Sequence, residues 1–372
     1  MGTLFDYLNW RGDMTFDEAP LNEVDSMIFS LLCYVDLNDI VPQQFGTLGV
    51  PLRAAANAFF TRNPDPKKIS LGVIVPKNII KLLQIAKDTR RFRAVELKSH
   101  VNMIDLKKEM QFSATTYLIS QKEAVIAYRG TDDTIIGWKE NFNMSFLEVV
   151  PAQKQAAEYL DEVADAFDGS ICLTGHSKGG NLAVYAAVHG KRETQDRLLH
   201  VWSHDGPGFG SGMLQHPDYI RLRPIIHSLV PQTSLVGMLL EHDENYTVVK
   251  SRQVGPFQHD GFSWNVMGKS FVHLKAVTGG CRYMDRTLNE WVQQMTPEQR
   301  EQLTEALYSV LSSDNAQTLT DLVSISKNKW LQKSADLDPH VHKTIQMMVS
   351  ALFELNKKNL LSDIFPKKKG NG

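Results

Sequence analysis

Ser177 stands at the centre of Gly175-His176-Ser177-Lys178-Gly179, a run of the form G-x-S-x-G. Ile171 to Leu173, just before it, reads as a short buried strand, and Asn181 to Val188, rich in Ala, Leu and Val, reads as a helix packed on a sheet. Strand, tight turn with serine at the apex, then helix is the setting of a nucleophile elbow. Gly175 and Gly179 are then required, because a Cβ at either would meet the neighbouring strand or helix. The bland alternative is a glycine-rich turn with an incidental serine, and the flanking strand and helix argue against it.

A serine hydroxyl is a weak nucleophile until a base takes its proton. That base is nearly always histidine, oriented by a carboxylate. With an elbow of this kind the order along the chain is Ser, acid, His, which puts the histidine after the last strand. His259, in Gly255-Pro256-Phe257-Gln258-His259-Asp260-Gly261, directly follows a predicted strand over 246–251 and is in that place. His242 and His273 are the alternatives. His227 falls inside a predicted strand and His216 in the loop before it. For the acid, Asp205 ends the strand after the nucleophile helix, in Asp205-Gly206-Pro207-Gly208. The alternatives are Asp243, beside Glu241 and Glu244, and Asp260, which adjoins His259 and would struggle to point back at it. Asp205 also reads as a plain turn cap. An oxyanion hole needs two donors. The N–H of Lys178 is one. Thr131, in Arg129-Gly130-Thr131-Asp132 after an earlier strand, offers its N–H and its hydroxyl, unless it only caps a hairpin or helix.

The elements that must hold these residues alternate along the chain. Asn22-Glu23-Val24-Asp25 caps a helix with Met27, Ile28, Leu31 and Leu32 on its apolar face, and Asn78 to Arg90 is a second amphipathic helix. Residues 51–70, with Asn63-Pro64-Asp65-Pro66, read as a mobile segment, a lid or a connecting loop. From about 93 the period changes. Arg93 to Ser99, Val101 to Asp105, Phe112 to Ser120 and Ala124 to Arg129 read as strands, with a hairpin turn at Ser120 to Glu123. A helix over 152–167, the Ser177 strand and helix, and strands at 199–203, 224–230 and 246–251 follow. This is a mostly parallel central sheet flanked by helices, with antiparallel strands at one edge. Arg286 to Met295, Pro297 to Ser312, Thr318 to Trp330 and His342 to Leu355 are helical patterns. The division expected is 1–92 as an N-terminal helical segment and possible lid, 93–285 as the catalytic core, and 286–372 as a C-terminal helical appendage.

The charge balance, 40 Lys and Arg against 42 Asp and Glu, gives no reason to expect nucleic acid as partner. Cys33, Cys172 and Cys281 are odd in number and far apart, so neither a disulfide framework nor a zinc site follows. Residues 1–11 carry acids and no apolar run, unlike a secretory signal, and no stretch reaches the ~18–20 apolar residues of a membrane span. The expectation is a cytoplasmic protein without metal or organic cofactor. Lys367-Lys368-Lys369 reads as a solvated tail, with peripheral membrane contact as the alternative.

At these residues the sequence resembles the class 3 lipase group of α/β-hydrolases. That group pairs Phe-Arg-Gly-Thr or Phe-Arg-Gly-Ser with Gly-His-Ser-Leu-Gly-Gly; here stand Tyr128-Arg129-Gly130-Thr131 and Gly175-His176-Ser177-Lys178-Gly179-Gly180. Gly137-Trp138-Lys139-Glu140-Asn141-Phe142 is similar to the group's Trp-containing segment, and Asp205-Gly206-Pro207 stands near its Gly-x-Pro turn. The likeness covers roughly 95–265. Over most of the chain the sequence also resembles a bacterial family of lipase-like hydrolases, through residues 1–11, Arg129 to Asp133, Gly175 to Asn181 and Gln258-His259-Asp260. The resemblance implies an α/β-hydrolase fold and cleavage of acyl or lipid esters by Ser177, His259 and Asp205, with Thr131 and Lys178 at the oxyanion. Lys178 replaces the group's Leu and puts a charge near the acyl pocket. The group's Asp-x-Val-Pro acid is absent, since Ser228-Leu229-Val230-Pro231 occupies that place. The competing expectations are an inactive hydrolase-fold scaffold that binds lipid or protein, and a thioesterase or amidase on the same triad. Ala54 to Phe60, Ile135 to Phe146 and Ser234 to Leu240 are expected to wall an acyl pocket, to form a lid, or simply to pack in the core.

Overall fold

The computed structural model describes residues 1–279 apart from 47, 73, 211, 235, 242 and 244, together with 296–312 and 316–324. His242, most of the expected C-terminal appendage and the Lys367–Lys369 tail lie outside the described residues.

The strands β1 (Val50–Pro51), β2 (Glu96–Asp105), β3 (Met110–Ser120), β4 (Glu123–Tyr128), β5 (Ser170–His176), β6 (Leu198–His204), β7 (Ile226–Pro231) and β8 (Thr247–Val249) lie side by side in that order. A short strand, His273–Leu274, closes the far edge. β1 to β4 pair antiparallel, and β4 to β8 pair parallel. A separate hairpin joins Val266–Met267 to Ser270–Phe271.

Both faces of the parallel part are covered, which is why its strands read as apolar runs rather than as alternating ones. On β4, Val125 and Ala127 face one core while Ile126 and Tyr128 face the other; on β6, Trp202 and Val201 divide in the same way. The first core is closed by α1 (Leu4–Arg11), α2 (Glu23–Leu32), α3 (Leu52–Arg62) and α4 (Asn78–Ala86). The second lies under α6 (Pro151–Ala166), α7 (Lys178–His189) and α9 (Pro217–Leu222). Between these come α5 (Ile135–Asn143) and the one-turn α8 (Arg192–Gln195). Beyond them stand α10 (Pro297–Leu311) and α11 (Leu319–Ser324). A parallel sheet clad on both faces, with a serine elbow between its strand and helix, is the α/β-hydrolase fold.

Three local expectations need correction. Within 51–70, Leu52–Arg62 is a packed helix rather than a loop, because Leu52, Ala55, Ala56 and Phe59 repeat at helical spacing and bury α3 against the edge of the sheet, while Asn63-Pro64-Asp65-Pro66 breaks it as read. Ala54 to Phe60 therefore belongs to that helix. The two strands expected at 93–99 and 101–105 are one, β2, with a register irregularity between Leu97 and Ser99. The strand at 246–251 is not the last, since His273–Leu274 pairs with it outside. The helix expected from Asn22 forms as read: the Asn22 side chain accepts from the N–H groups of Val24 and Asp25, and Asp25 returns to the Asn22 N–H.

Candidate active site

Ser177 is the hinge between β5 and α7, with φ 59° and ψ −134°. That backbone region is costly for a residue with a Cβ, on the order of 1–3 kcal/mol, and persists only where its surroundings hold it. Here the Ser177 N–H donates to the His204 carbonyl at 2.9 Å, and the Ser177 carbonyl accepts from the Gly180 N–H at 2.9 Å. The flanking glycines allow the turn to close. A Cβ on Gly175 would lie 2.0 Å from the Gly179 carbonyl oxygen, and one on Gly179 would lie 2.1 Å from that of Tyr128 on β4.

Asp205 leaves the end of β6 with φ 51° and is fully buried. Its N–H donates to the Leu229 carbonyl on β7. One carboxylate oxygen, Oδ1, accepts from the Ser234 hydroxyl and from the Gly237 N–H at 3.1 Å. The other, Oδ2, accepts from His259 Nδ1 at 2.6 Å. His259 ends a 3-10 turn, Gly255–His259, that follows β8. Asn181, one turn into α7, donates to the Pro207 and Gly208 carbonyls and so ties the loop after Asp205 to the nucleophile helix.

The competing residues are occupied elsewhere. Asp243 pairs with Arg223 and accepts from the Asn245 N–H. Asp260 caps the next turn through the Phe262 N–H. His273 meets Glu23 at 3.0 Å, His227 meets His200, and His216 caps α9. Segment Ser234 to Leu240 brings Ser234 and Gly237 to Asp205 rather than standing apart as a lid.

Thr131 is buried in the loop between β4 and α5, and its Oγ1 accepts from Asn141 Nδ2 at 2.6 Å. The helix cap of this loop is Thr134, whose Oγ1 accepts from the Gly137 N–H, and Asp132 pairs with Arg129. Thr131 therefore keeps its own hydroxyl hydrogen. The loop lies against the elbow: a Cβ on Gly130 would lie 3.1 Å from Ser177 Cβ, 2.6 Å from the His176 carbonyl oxygen and 2.2 Å from the Tyr34 hydroxyl. The Lys178 side chain does not carry a free charge into a pocket. It is buried and meets Glu140 at 2.9 Å.

Two residues without an assigned role in the sequence lie here. His176 donates through Nε2 to the His259 carbonyl at 2.7 Å, and the two rings lie 4.5 Å apart. Burial, reinforced by the neighbouring His259, depresses His176 to about 3, so it stays neutral and holds the His259 backbone. Tyr34 comes from just beyond α2 and brings its hydroxyl to Gly130. Position in G-x-S-x-G is the sole sequence signal for His176. No local pattern points to Tyr34, because its neighbour is 96 positions away in the sequence.

Residues 86–309 match the family described as Mbeg1-like. The chain belongs to the Mbeg1-like family. The elbow and strand order above give this Mbeg1-like chain an α/β-hydrolase fold. Among solved structures, it is similar to the Lip2 lipase of Yarrowia lipolytica, at 14% identity over 45% of this chain and 69% of that one, with a TM-score of 0.33. It is similar to the Rhizomucor miehei lipase propeptide complex, at 16% identity over 45% and 58%, TM-score 0.34. The M37 lipase gives 15% identity over 57% and 68%, TM-score 0.34. No curated protein matches. The fold assignment rests on strand order and elbow, not on these overlaps. Among the described residues no helix is long and apolar enough to cross a membrane, and no group of three or more His, Cys, Asp and Glu could hold a metal ion.

Proposed function

We propose that the chain hydrolyses carboxylic esters of acyl or lipid substrates through an acyl-enzyme. Ser177 Oγ attacks the acyl carbonyl while His259 takes its proton through Nε2. Asp205 holds the Nδ1–H tautomer and stabilises the imidazolium as it forms. The N–H groups of Thr131 and Lys178, with the Thr131 hydroxyl, receive the oxyanion. His259 then returns the proton to the leaving alcohol, and water clears the acyl group from Ser177 by the same steps. No metal or organic cofactor enters the scheme.

The observation that carries this reading is the 2.6 Å bond from His259 Nδ1 to a fully buried Asp205 whose other oxygen already has two donors. An unpaired carboxylate is expensive to bury, and here the bond to His259 and the two donors to the other oxygen offset that cost. The same bond supports Asp205 as the acid where the Asp is absent from Ser228–Pro231.

Hydrolysis of p-nitrophenyl esters from acetate to palmitate tests it. Ser177→Ala and His259→Ala are expected to lower kcat by on the order of 10⁴–10⁶-fold. Asp205→Asn should cost about 10⁴-fold, and Asp243→Asn should leave kcat within about twofold because Asp243 pairs with Arg223. The chain-length optimum reports the acyl pocket. A wild-type protein inert on every ester and unlabelled by a fluorophosphonate probe would overturn the proposal. Turnover confined to thioesters or amides would move it to another acyl-transfer class.

A further inference from the structure

Lys178 and Glu140 form an ion pair at 2.9 Å with both side chains essentially out of solvent. The scheme above uses the backbone of Lys178 and neither of these side chains. Burying two charges is costly, and such a pair is weak evidence for stability alone. What the pair does joins four elements. Lys178 Nζ, on the first residue of α7, donates to Glu140 Oε2 on α5, to the Gln111 carbonyl at 2.7 Å and to Gln111 Oε1 at 2.8 Å on β3. Glu140 accepts in addition from the Gln111 N–H at 3.1 Å and, through Oε1, from the Ala152 N–H at 2.9 Å in the first turn of α6. There the positive end of the α6 dipole favours the carboxylate.

The residue after Glu140 is Asn141, whose amide donates to Thr131 Oγ1. Two consecutive residues of one helix therefore hold the two halves of the oxyanion site, Glu140 the residue that supplies one N–H and Asn141 the residue that supplies the other. The packing between them is tight: a Cβ on Gly137 would lie 3.1 Å from Gln111 Oε1 and 3.2 Å from Thr131 Cγ2.

We infer that the Lys178–Glu140 pair is a positioning device that fixes the separation of the two oxyanion donors, with α5 as the gauge between them. The inference rests on the ester-hydrolase reading. Lys178 and Glu140 side chains act here as positioning residues and do not touch substrate. Oxyanion donors act only when they are aimed where charge develops, so loosening the gauge lowers transition-state binding and leaves ground-state binding alone.

The test uses the full chain and compares wild type, Glu140→Gln and the double variant Lys178→Met/Glu140→Leu. The double change removes both charges and leaves no buried ion unpaired. The readouts are kcat per fluorophosphonate-titrated site, KM on a p-nitrophenyl ester, and the Ki of a trifluoromethyl ketone that forms a tetrahedral adduct. In the double variant kcat should fall about 10- to 100-fold, less than the ~10²–10³ for deleting a donor. KM should stay within twofold and the ketone should weaken by the same factor as kcat. A pair with only a structural role would lower the melting temperature and leave kcat per titrated site and Ki untouched, and that result overturns the inference. If the double variant does not fold, Glu140→Gln carries the comparison, with a drop of about 3- to 10-fold expected and an unchanged kcat and Ki overturning it. A wild type inert to esters and probe sinks the ester reading and this inference with it. An active wild type with an unaffected double variant sinks the inference alone.

Discussion

Gly130 sets how closely the oxyanion loop can approach the elbow. A methyl group there would meet the Tyr34 hydroxyl at 2.2 Å and the His176 carbonyl oxygen at 2.6 Å. The tyrosine can swing, but the carbonyl belongs to the elbow backbone and cannot. Gly130→Ala should therefore push Thr131 off its position and lower kcat/KM by at least about 10²-fold, in line with the loss of one oxyanion donor. Gly130→Ala/Tyr34→Phe, which takes away the hydroxyl, should not restore it. Recovery in that double variant, followed by ester turnover, would show that Tyr34 alone sets the limit. At this scale Ser177 and the two elbow glycines were legible in the G-x-S-x-G run, and Asp205 and His259 were legible as candidates because each follows a strand of the sheet. Tyr34, His176 and the partner of Lys178 were not. Their neighbours arrive from other elements, and no local spacing encodes a meeting of α5, α7 and β3. The charge on Lys178 reads as lying near the acyl pocket because the sequence does not say that Glu140 lies 2.9 Å away.

Among the elements, α5 is gripped from outside by the segments that follow the sheet. Lys139 pairs with Glu109 and with Glu305 of α10, and its amine lies over the Tyr308 ring. Arg300 donates to the Ser145 carbonyl, and Ile135 N–H to that of Gln317. Asp133, two residues beyond Thr131, accepts from the Thr320 N–H and hydroxyl, and its carbonyl accepts from the Leu319 N–H. Asp133 is thus a cap for α11 supplied from the oxyanion loop. Asp133→Ala should destabilise the protein by about 1 kcal/mol, as loss of an N-cap does. It should also speed proteolytic cleavage within 316–324 and lower kcat, because the loop that carries Thr131 loses its outer anchor. A urea midpoint and a digestion time course check this, and unchanged digestion would show that α11 docks without the cap. This docking could not be read from the pattern at 297–312, which gave a helix but not its partner. The same limit applies to α3. Its exit, Asn63 to Pro66, breaks the helix as the sequence reads, but the partners that bury Leu52, Ala55, Ala56 and Phe59 come from other elements.

For the molecule as a whole, the N-terminal helices that precede the Mbeg1-like match at residue 86 share one core with the sheet. A buried cluster reinforces that join: Arg91 pairs with Asp25, which also accepts from Tyr7. Polar contacts tie α2 to the strands below the elbow as well, Ser26 to His204 and Ser30 to Thr174. Three histidines buried in this body, His100, His176 and His204, are all depressed, first by burial. At His100 the hydrogen bond to Asp36 opposes the effect and the Arg129 charge adds to it. In the unfolded chain each titrates near 6.5. Below that value the unfolded state takes up protons that the folded state refuses, down to about pH 3 for His176. Each such histidine lowers stability by about 1.4 kcal/mol per pH unit in that window. Above 6.5 their contribution is full and flat. Asp25 and Glu123, both raised by burial, work in the opposite direction. Against the ~5–15 kcal/mol that holds a domain, even one or two such losses are a large share. The melting temperature should therefore be level from pH 8 to 7 and fall steeply between 6.5 and 5, before most carboxylates titrate. Thermal scans across that range check it. A melting temperature still level at pH 5 would mean that these histidines gain protons in the folded state, and that the layer between α2 and the sheet admits water.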